Sequence, residues 1–391
     1  MPLYFLFRRL CLYSFKMHSG QKFALFCVKR YKDIFIFVKN KDRFPLKKER
    51  QHLLTSYFAM VMATGIVAIA AHLLGYTAVA FVIHLLNLVL YGVLLLLFLL
   101  RICFFWFEIV KDMKDYQKGP GFFTFVAGTA IVGNQLVIIE SFPQLASLLL
   151  KIAIAAWVLI TYSFFVIITV KEEKPTLDKG INGSWLIIIV STQAVSTLIT
   201  SLTSYSSHPE IDAFSALVFY MAGGIMYLYI MSLIIYRLSF FQLKADELGA
   251  PYWINMGAAA ITTLAGSKLI SGMNETGELV EFIPFLKGFT LFFWSASTWW
   301  IPLMLILGIW RHVYKRVPLP VSPQGYNAGY WGMVFPLGMY TVCTVQLSDA
   351  LELPFLKVIP RFFIFVALFA WLAVMTGFVR HQFKKLQFTR S

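Results

Sequence analysis

The chain has 391 residues, of which 59% are apolar and only 14% charged, too few charged groups to solvate a soluble protein of this length. Its formal net charge of +15 is concentrated in particular links between apolar runs, which marks membrane topology and argues against a nucleic-acid partner. Cys11, Cys27, Cys103 and Cys343 show no Cys-x-x-Cys spacing and no neighbouring His pair, so neither a disulfide framework nor a zinc site is indicated, and no cofactor is expected.

Residues 1–50 interleave basic side chains with aromatics such as Phe5, Phe7, Tyr13, Phe23 and Phe35. No long apolar core or A-x-A site follows, so a signal peptide is not expected. Two readings stay open for this cytoplasmic segment. It is an interfacial amphipathic arm, or a poorly ordered or even misannotated N-terminal extension.

Ten apolar runs come next, near 55–74, 79–104, 120–140, 144–168, 182–202, 211–238, 251–270, 282–310, 326–346 and 355–380. Each is long enough to cross a hydrocarbon core that takes roughly 20 helical residues. They lack strict apolar/polar alternation and exceed the ~10 residues of a barrel strand, so they read as helices. The expected architecture is an all-α integral membrane domain over 51–385, followed by a cytoplasmic tail, 386–391.

All but five of the 34 Lys and Arg residues fall in 1–50, 101–118, 171–181, 237–250, 311–325 and 380–391. The exceptions are Lys151, Lys268, Lys287, Lys357 and Arg361. By the positive-inside rule the basic links are cytoplasmic, and so are both termini. The runs then pair into five hairpins across short outer links such as Gly75-Tyr76 and Ser141-Phe142-Pro143.

The two helices of each hairpin differ in kind. The odd runs carry small and hydroxyl residues: Ala63, Thr64 and Gly65 in the first, Gly128, Thr129 and Gly133 in the third, Thr192 and Gln193 in the fifth. Gly257, Thr262 and Thr263 follow in the seventh, and Gly332, Gly338 and Thr341 in the ninth. The even runs are bulky, as in Leu94-Leu95-Leu96-Leu97-Phe98. Small residues let helices approach closely and hydroxyls suit a wet cavity, which predicts an inner ring of odd helices within an outer ring of even ones. The alternative is that the small residues only tighten a solid core.

Five strings on the odd runs carry a resemblance: Ser56–Ala70 (SYFAMVMATGIVAIA), Gly119–Leu136 (GPGFFTFVAGTAIVGNQL), Asn182–Val195 (NGSWLIIIVSTQAV), Pro251–Leu264 (PYWINMGAAAITTL) and Gly329–Thr341 (GYWGMVFPLGMYT). In this order and spacing they resemble the tellurite-resistance/dicarboxylate transporter family, also called the slow-type or voltage-dependent anion channel family. NGSWL and PYWINMG are most similar to its malate/C4-dicarboxylate branch. The resemblance implies ten transmembrane helices in quasi-fivefold arrangement around a central pore, a homotrimer with one pore per subunit, and passage of small inorganic or carboxylate anions. It also implies a gate formed by an aromatic on the ninth helix, which here is Phe335.

Around that position, Pro336 removes a backbone donor, while Gly332 and Gly338 leave space beside the ring. A phenyl ring in a narrow dry tube blocks ions by excluding hydration water. One departure stands out: the first, third, fifth and seventh runs lack the mid-helix proline that often kinks the family's pore helices, leaving Gly65, Gly128, Gly133, Gly257 and Gly266 as bending points.

The donors available to a crossing anion are neutral. The pore-lining candidates are Thr64, Gly65, Gly128, Thr129, Gly133, Thr192, Gln193, Gly257, Thr262 and Thr263, with Asn134 and Thr341 as further donors. Each hydroxyl has the alternative of bonding the carbonyl four residues back on its own helix. Lys268 and Lys287, toward the outer ends of the seventh and eighth runs, either attract anions to the mouth or, on the preferred reading, snorkel toward lipid headgroups or pair with Glu275, Glu278 or Glu281. The leading reading is therefore a gated anion channel or facilitator. A proton-coupled C4-dicarboxylate, sulfite or tellurite-type carrier is the competing one, and it favours a buried titratable group that the odd runs do not offer at midplane. No metalloprotease-like H-E-x-x-H or nucleophile–base pair suggests an intramembrane enzyme.

Overall fold

The computed structural model describes residues 55–390 except 243, 246 and 319–325, with side chains described up to 384. The expectations for residues 1–50 lie outside the described residues.

Ten long helices account for most of the described chain. They are α1 (Phe58–Leu73), α2 (Thr77–Phe104), α3 (Phe123–Ile138), α4 (Pro143–Val170), α5 (Ile187–Leu202), α6 (Pro209–Phe240), α7 (Ile254–Thr276), α8 (Ile283–Ile309), α9 (Trp331–Ala350) and α10 (Val358–Arg390). Each odd helix is entered through a 3-10 turn: Thr55–Tyr57, Gly119–Phe122, Gly183–Leu186, Ala250–Trp253 and Ala328–Tyr330. Pro120 and Pro251 sit in the first positions of two of these turns, where a missing N–H costs nothing and the fixed φ helps start the helix. Gly75, with φ of +85°, makes the first hairpin link so short.

Odd and even helices differ in length. The first three odd helices have 16 residues each, whereas α2 and α4 have 28 and α6 has 32. Seven segments among the described residues are long and apolar enough to cross a membrane: Thr77–Phe104, Gly119–Ile138, Pro143–Val170, Gly183–Tyr205, Pro209–Phe240, Val280–Tyr314 and Pro354–Lys384. The remaining three are odd helices. α1 is too short by itself, and α7 and α9 are diluted by glycine, threonine, serine and amide side chains. Their burial explains how this is tolerated, because every residue of α1 from Phe58 to Ala71 and of α7 from Ile254 to Ser267 is buried by protein. A helix clad in other helices needs no lipid-compatible surface.

Burial separates the two classes. In the most apolar stretch of α3 and of α5, 89% of residues are buried, against 22% in α4 and α8. Along the even helices large apolar side chains stay exposed, among them Val82, Leu159, Ile225, Trp299 and Phe369, a surface that suits lipid.

The odd helices pack in sequence, α1 on α3, α3 on α5, α5 on α7 and α7 on α9, and α9 returns to α1. Each even helix packs on its hairpin partner and also touches the next odd helix around. A polar atom of an aromatic side chain on the even helix marks each of those second contacts. Tyr91 Oη (α2) lies 3.0 Å from Thr129 Oγ1 (α3). Trp157 Nε1 (α4) donates to Thr192 Oγ1 (α5) at 2.8 Å, and Tyr227 Oη (α6) to the Asn255 carbonyl (α7) at 3.4 Å. Trp294 Nε1 (α8) reaches Thr344 Oγ1 (α9) and Trp371 Nε1 (α10) reaches Thr64 Oγ1 (α1), both at 3.1 Å. Tyr and Trp supply bulk for the apolar seam together with a polar tip that needs a partner when buried.

Candidate functional site: a cavity inside the ring of odd helices

The middle and C-terminal parts of the five odd helices line a partly open cavity of about 30 Å3. Its wall consists of Ile66, Ile69 and Leu73 of α1, Ile131, Asn134 and Ile138 of α3, Thr197 of α5, Ile261, Leu264 and Lys268 of α7, and Met339, Val342 and Gln346 of α9. The three- and four-residue steps within α1, α3, α7 and α9 are those of a single helix face turned inward. Aliphatic side chains dominate, and Lys268 is the one charged group in the wall.

Lys268 is half-buried. Its ammonium donates to Asn134 Oδ1 at 3.1 Å and to Ser201 Oγ, so side chains of α3, α5 and α7 meet there. Asn134 is fixed in turn, its amide donating to the Ala130 carbonyl at 3.0 Å and to Thr197 Oγ1 at 3.2 Å. Among the described residues no carboxylate pairs with Lys268. The expected pairing with Glu275, Glu278 or Glu281, or snorkelling to headgroups, is therefore corrected. The spacing Ile261, Leu264, Lys268 was the available signal: it puts the lysine on the inward face of α7.

Phe335 lies on α9 four residues before Met339, on the face that continues through Val342 and Gln346. It is 1% exposed and lies one helical turn before Met339 on that face. α9 runs on through Pro336, whose missing N–H leaves the Gly332 carbonyl without its usual helical donor. A Cβ at Gly257 would come within 2.7 Å of Pro336 Cγ, and one at Gly338 within 2.9 Å of Ile66 Cγ2. Gly332 faces Ile254. The glycines seat the Phe335 turn against α7 and α1.

None of the ten pore-lining candidates borders this cavity. Thr64, Thr129 and Thr192 meet the outer-helix aromatics already described, and Gln193 Nε2 donates to the Tyr220 carbonyl of α6 at 2.9 Å. Thr262 and Thr263 donate to the carbonyls of Ala258 and Ala259 at 2.7 and 3.0 Å. Gly65 lies against Ile131, Gly128 against Phe58 and Val61, Gly133 against Leu198 and Gly257 against Pro336. The four glycines thus lie against neighbouring helices, while Thr262 and Thr263 bond within α7 itself.

Clefts lined by basic groups lie at both ends of the odd helices. A cleft of about 330 Å3 shares Leu73 and Gln346 with the cavity wall and adds Asp349, Lys357 and Arg361. Lys357 pairs with Asp349 at 2.6 Å, while Arg361 is exposed. At the N-terminal ends of α5, α7 and α9 a wider cleft of about 880 Å3 is lined by Lys179, Arg237, Lys244 and Arg311 together with Asp178 and Glu247. The Thr176 hydroxyl beside Asp178 holds its carboxyl below the ordinary range, so this acid is ionised at neutral pH.

Comparison with known proteins agrees with a helical membrane protein. An uncharacterized membrane protein of Mycobacterium tuberculosis is 37% identical over 158 residues, covering 40% of this chain and 77% of the relative. Two uncharacterized transporters of Methanocaldococcus jannaschii are 25% and 24% identical over 309 and 305 residues, each covering 74% of this chain and 83% or 82% of the relative. Residues 52–379 match the family described as voltage-dependent anion channel. This chain is a multi-pass membrane protein and belongs to the voltage-dependent anion channel family.

Proposed function

We propose that the protein passes small anions or organic acids along the axis of the ring, with Phe335 closing the path. One observation carries this reading: the inward faces of all five odd helices line a cavity with one lysine in its wall, and Phe335 continues the same face of α9 one turn before Met339. All ten helices cross the bilayer in a quasi-fivefold double ring, with both termini cytoplasmic and 51–385 as the membrane domain. The subunit assembles as a homotrimer with one pore per subunit. In this arrangement an anion enters past Lys357 and Arg361 or past the cluster of Arg237, Lys244 and Arg311. Basic residues at both mouths raise the local anion concentration. At the constriction the phenyl ring keeps the tube dry until it moves.

Anion efflux from proteoliposomes tests the gate. Phe335→Ala raises the flux of chloride or nitrate, and the same flux with the same selectivity as the unaltered protein removes Phe335 from the path. The competing carrier reading has one observation in its favour, since Lys268 is a titratable group in the cavity wall. Uptake of malate driven uphill by a proton gradient, and abolished by collapsing that gradient, would establish it.

A further inference from the structure

The donors of Lys268 are not all used. An ammonium group carries three N–H bonds. Two go to Asn134 Oδ1 and Ser201 Oγ, which leaves one for the cavity that the lysine helps to line. Both partners are neutral, so the positive charge has directional support and no counter-ion among the described residues. Nine of the surrounding wall residues are Ile, Leu, Val or Met. An ammonium in such surroundings is expensive unless a negative charge meets it.

We infer that Lys268 is the counter-ion of a binding site for one small, singly charged inorganic anion inside the ring of odd helices. This rests on the reading that the axis of the ring is the anion path, and it names which anions that path admits. Two features set the class. A single positive charge neutralises a single negative one, and a second negative charge in this aliphatic wall would stay uncompensated. The cavity, at about 30 Å3, clears the roughly 10–15 Å3 that one water-sized occupant needs, so it has room for a halide. One free N–H of Lys268 holds the anion, with Asn134 and Ser201 fixing the ammonium. That placement makes Lys268 a selectivity residue, separate from the gate.

Binding can be read without transport, which keeps this inference distinguishable from the gating proposal. Purified full-length protein is titrated with sodium bromide at constant ionic strength, with gluconate as the balancing anion, and its thermal midpoint is followed. A ligand that binds only the folded state raises the midpoint with a saturable dose dependence. The unaltered protein shows this rise. Lys268→Gln needs roughly tenfold more bromide or more for the same rise, as expected when a charge-assisted contact is lost, and Lys268→Arg retains it. Sulfate stabilises proteins generally by exclusion from their surface, so it should shift the unaltered protein and Lys268→Gln equally. Equal bromide titrations for the two proteins would overturn the site, and so would a sulfate response that depends on Lys268 more than the bromide response does. Should Lys268→Gln not fold, crystals of the unaltered protein soaked in bromide decide the matter by anomalous scattering. A peak within hydrogen-bond reach of Lys268 Nζ supports the site, and its absence from the cavity overturns it. If gating fails instead, bromide binding persists while Phe335→Ala leaves flux unchanged.

Discussion

Pro336 occupies the space that a side chain at Gly257 would need. A Cβ built on Gly257 lies 2.7 Å from Pro336 Cγ and 3.1 Å from its Cβ, so α7 and α9 touch almost backbone to backbone beside the Phe335 turn. The proline ring cannot swing aside as a long side chain would. Gly257→Ala therefore forces the two helices apart, an overpacking that costs about 1–3 kcal/mol. A useful contrast is Gly288→Ala on α8, where nothing lies within 4 Å of the added Cβ. There the change gains up to about 1 kcal/mol from helix propensity. Thermal midpoints moving in opposite directions are the expected result, and a rise in both would show that the α7–α9 contact yields freely.

Phe335 allows a graded test. Phe335→Leu keeps an apolar plug of smaller volume and should give an anion flux between those of the unaltered protein and Phe335→Ala. The alanine variant also loses a fully buried aromatic, with a stability cost of about 3–5 kcal/mol. Flux and thermal midpoint measured on the same preparations should move in opposite directions across the series.

Thr192 separates a pore-lining role from a structural one. Its hydroxyl accepts from Trp157 Nε1 and donates to the Ile188 carbonyl, both at 2.8 Å. Thr192→Val keeps the shape and strands the indole N–H, a loss of about 1–3 kcal/mol. The thermal midpoint should fall while anion selectivity stays unchanged. Altered selectivity in a stable Thr192→Val protein would return this hydroxyl to the path.

Arg101 near the C-terminal end of α2 is 2% exposed, and its Nη2 lies 2.5 Å from Asp112 Oδ2 on the short helix Trp106–Met113. Asp112 is half-buried and also lies 3.4 Å from Lys118 Nζ. Removing its charge weakens the compensation of the buried guanidinium, so Asp112→Asn should cost about 1–3 kcal/mol, and Asp112→Asn with Arg101→Met together should cost less than Asp112→Asn alone. Thermal denaturation of both variants checks the order.

Much of the architecture is legible along the chain. The alternation of small, hydroxyl-rich runs with bulky ones marks the helices that protein buries, because a residue such as Gly133 or Ala63 offers lipid little and a neighbouring helix much. The match to the family is likewise carried by strings on the odd runs. Roles within those strings are another matter. Trp157 and Thr192 are 35 residues apart and Trp371 and Thr64 are 307 apart. No local pattern tells a threonine that meets such a tryptophan from one that meets an anion.

Composition and run length by themselves determined that this chain lives in a bilayer and which five helices are clad in protein. Both follow from transfer free energies that depend on residue type and helix length alone. Only the tertiary structure decided which polar groups turn to the axis. Closing the ring placed Asn134 and Thr197 beside Lys268 and turned Thr64, Thr129 and Thr192 toward the outer helices. A side chain's partner is fixed by the rotation of its helix against four others, and that rotation is set by packing across the whole ring.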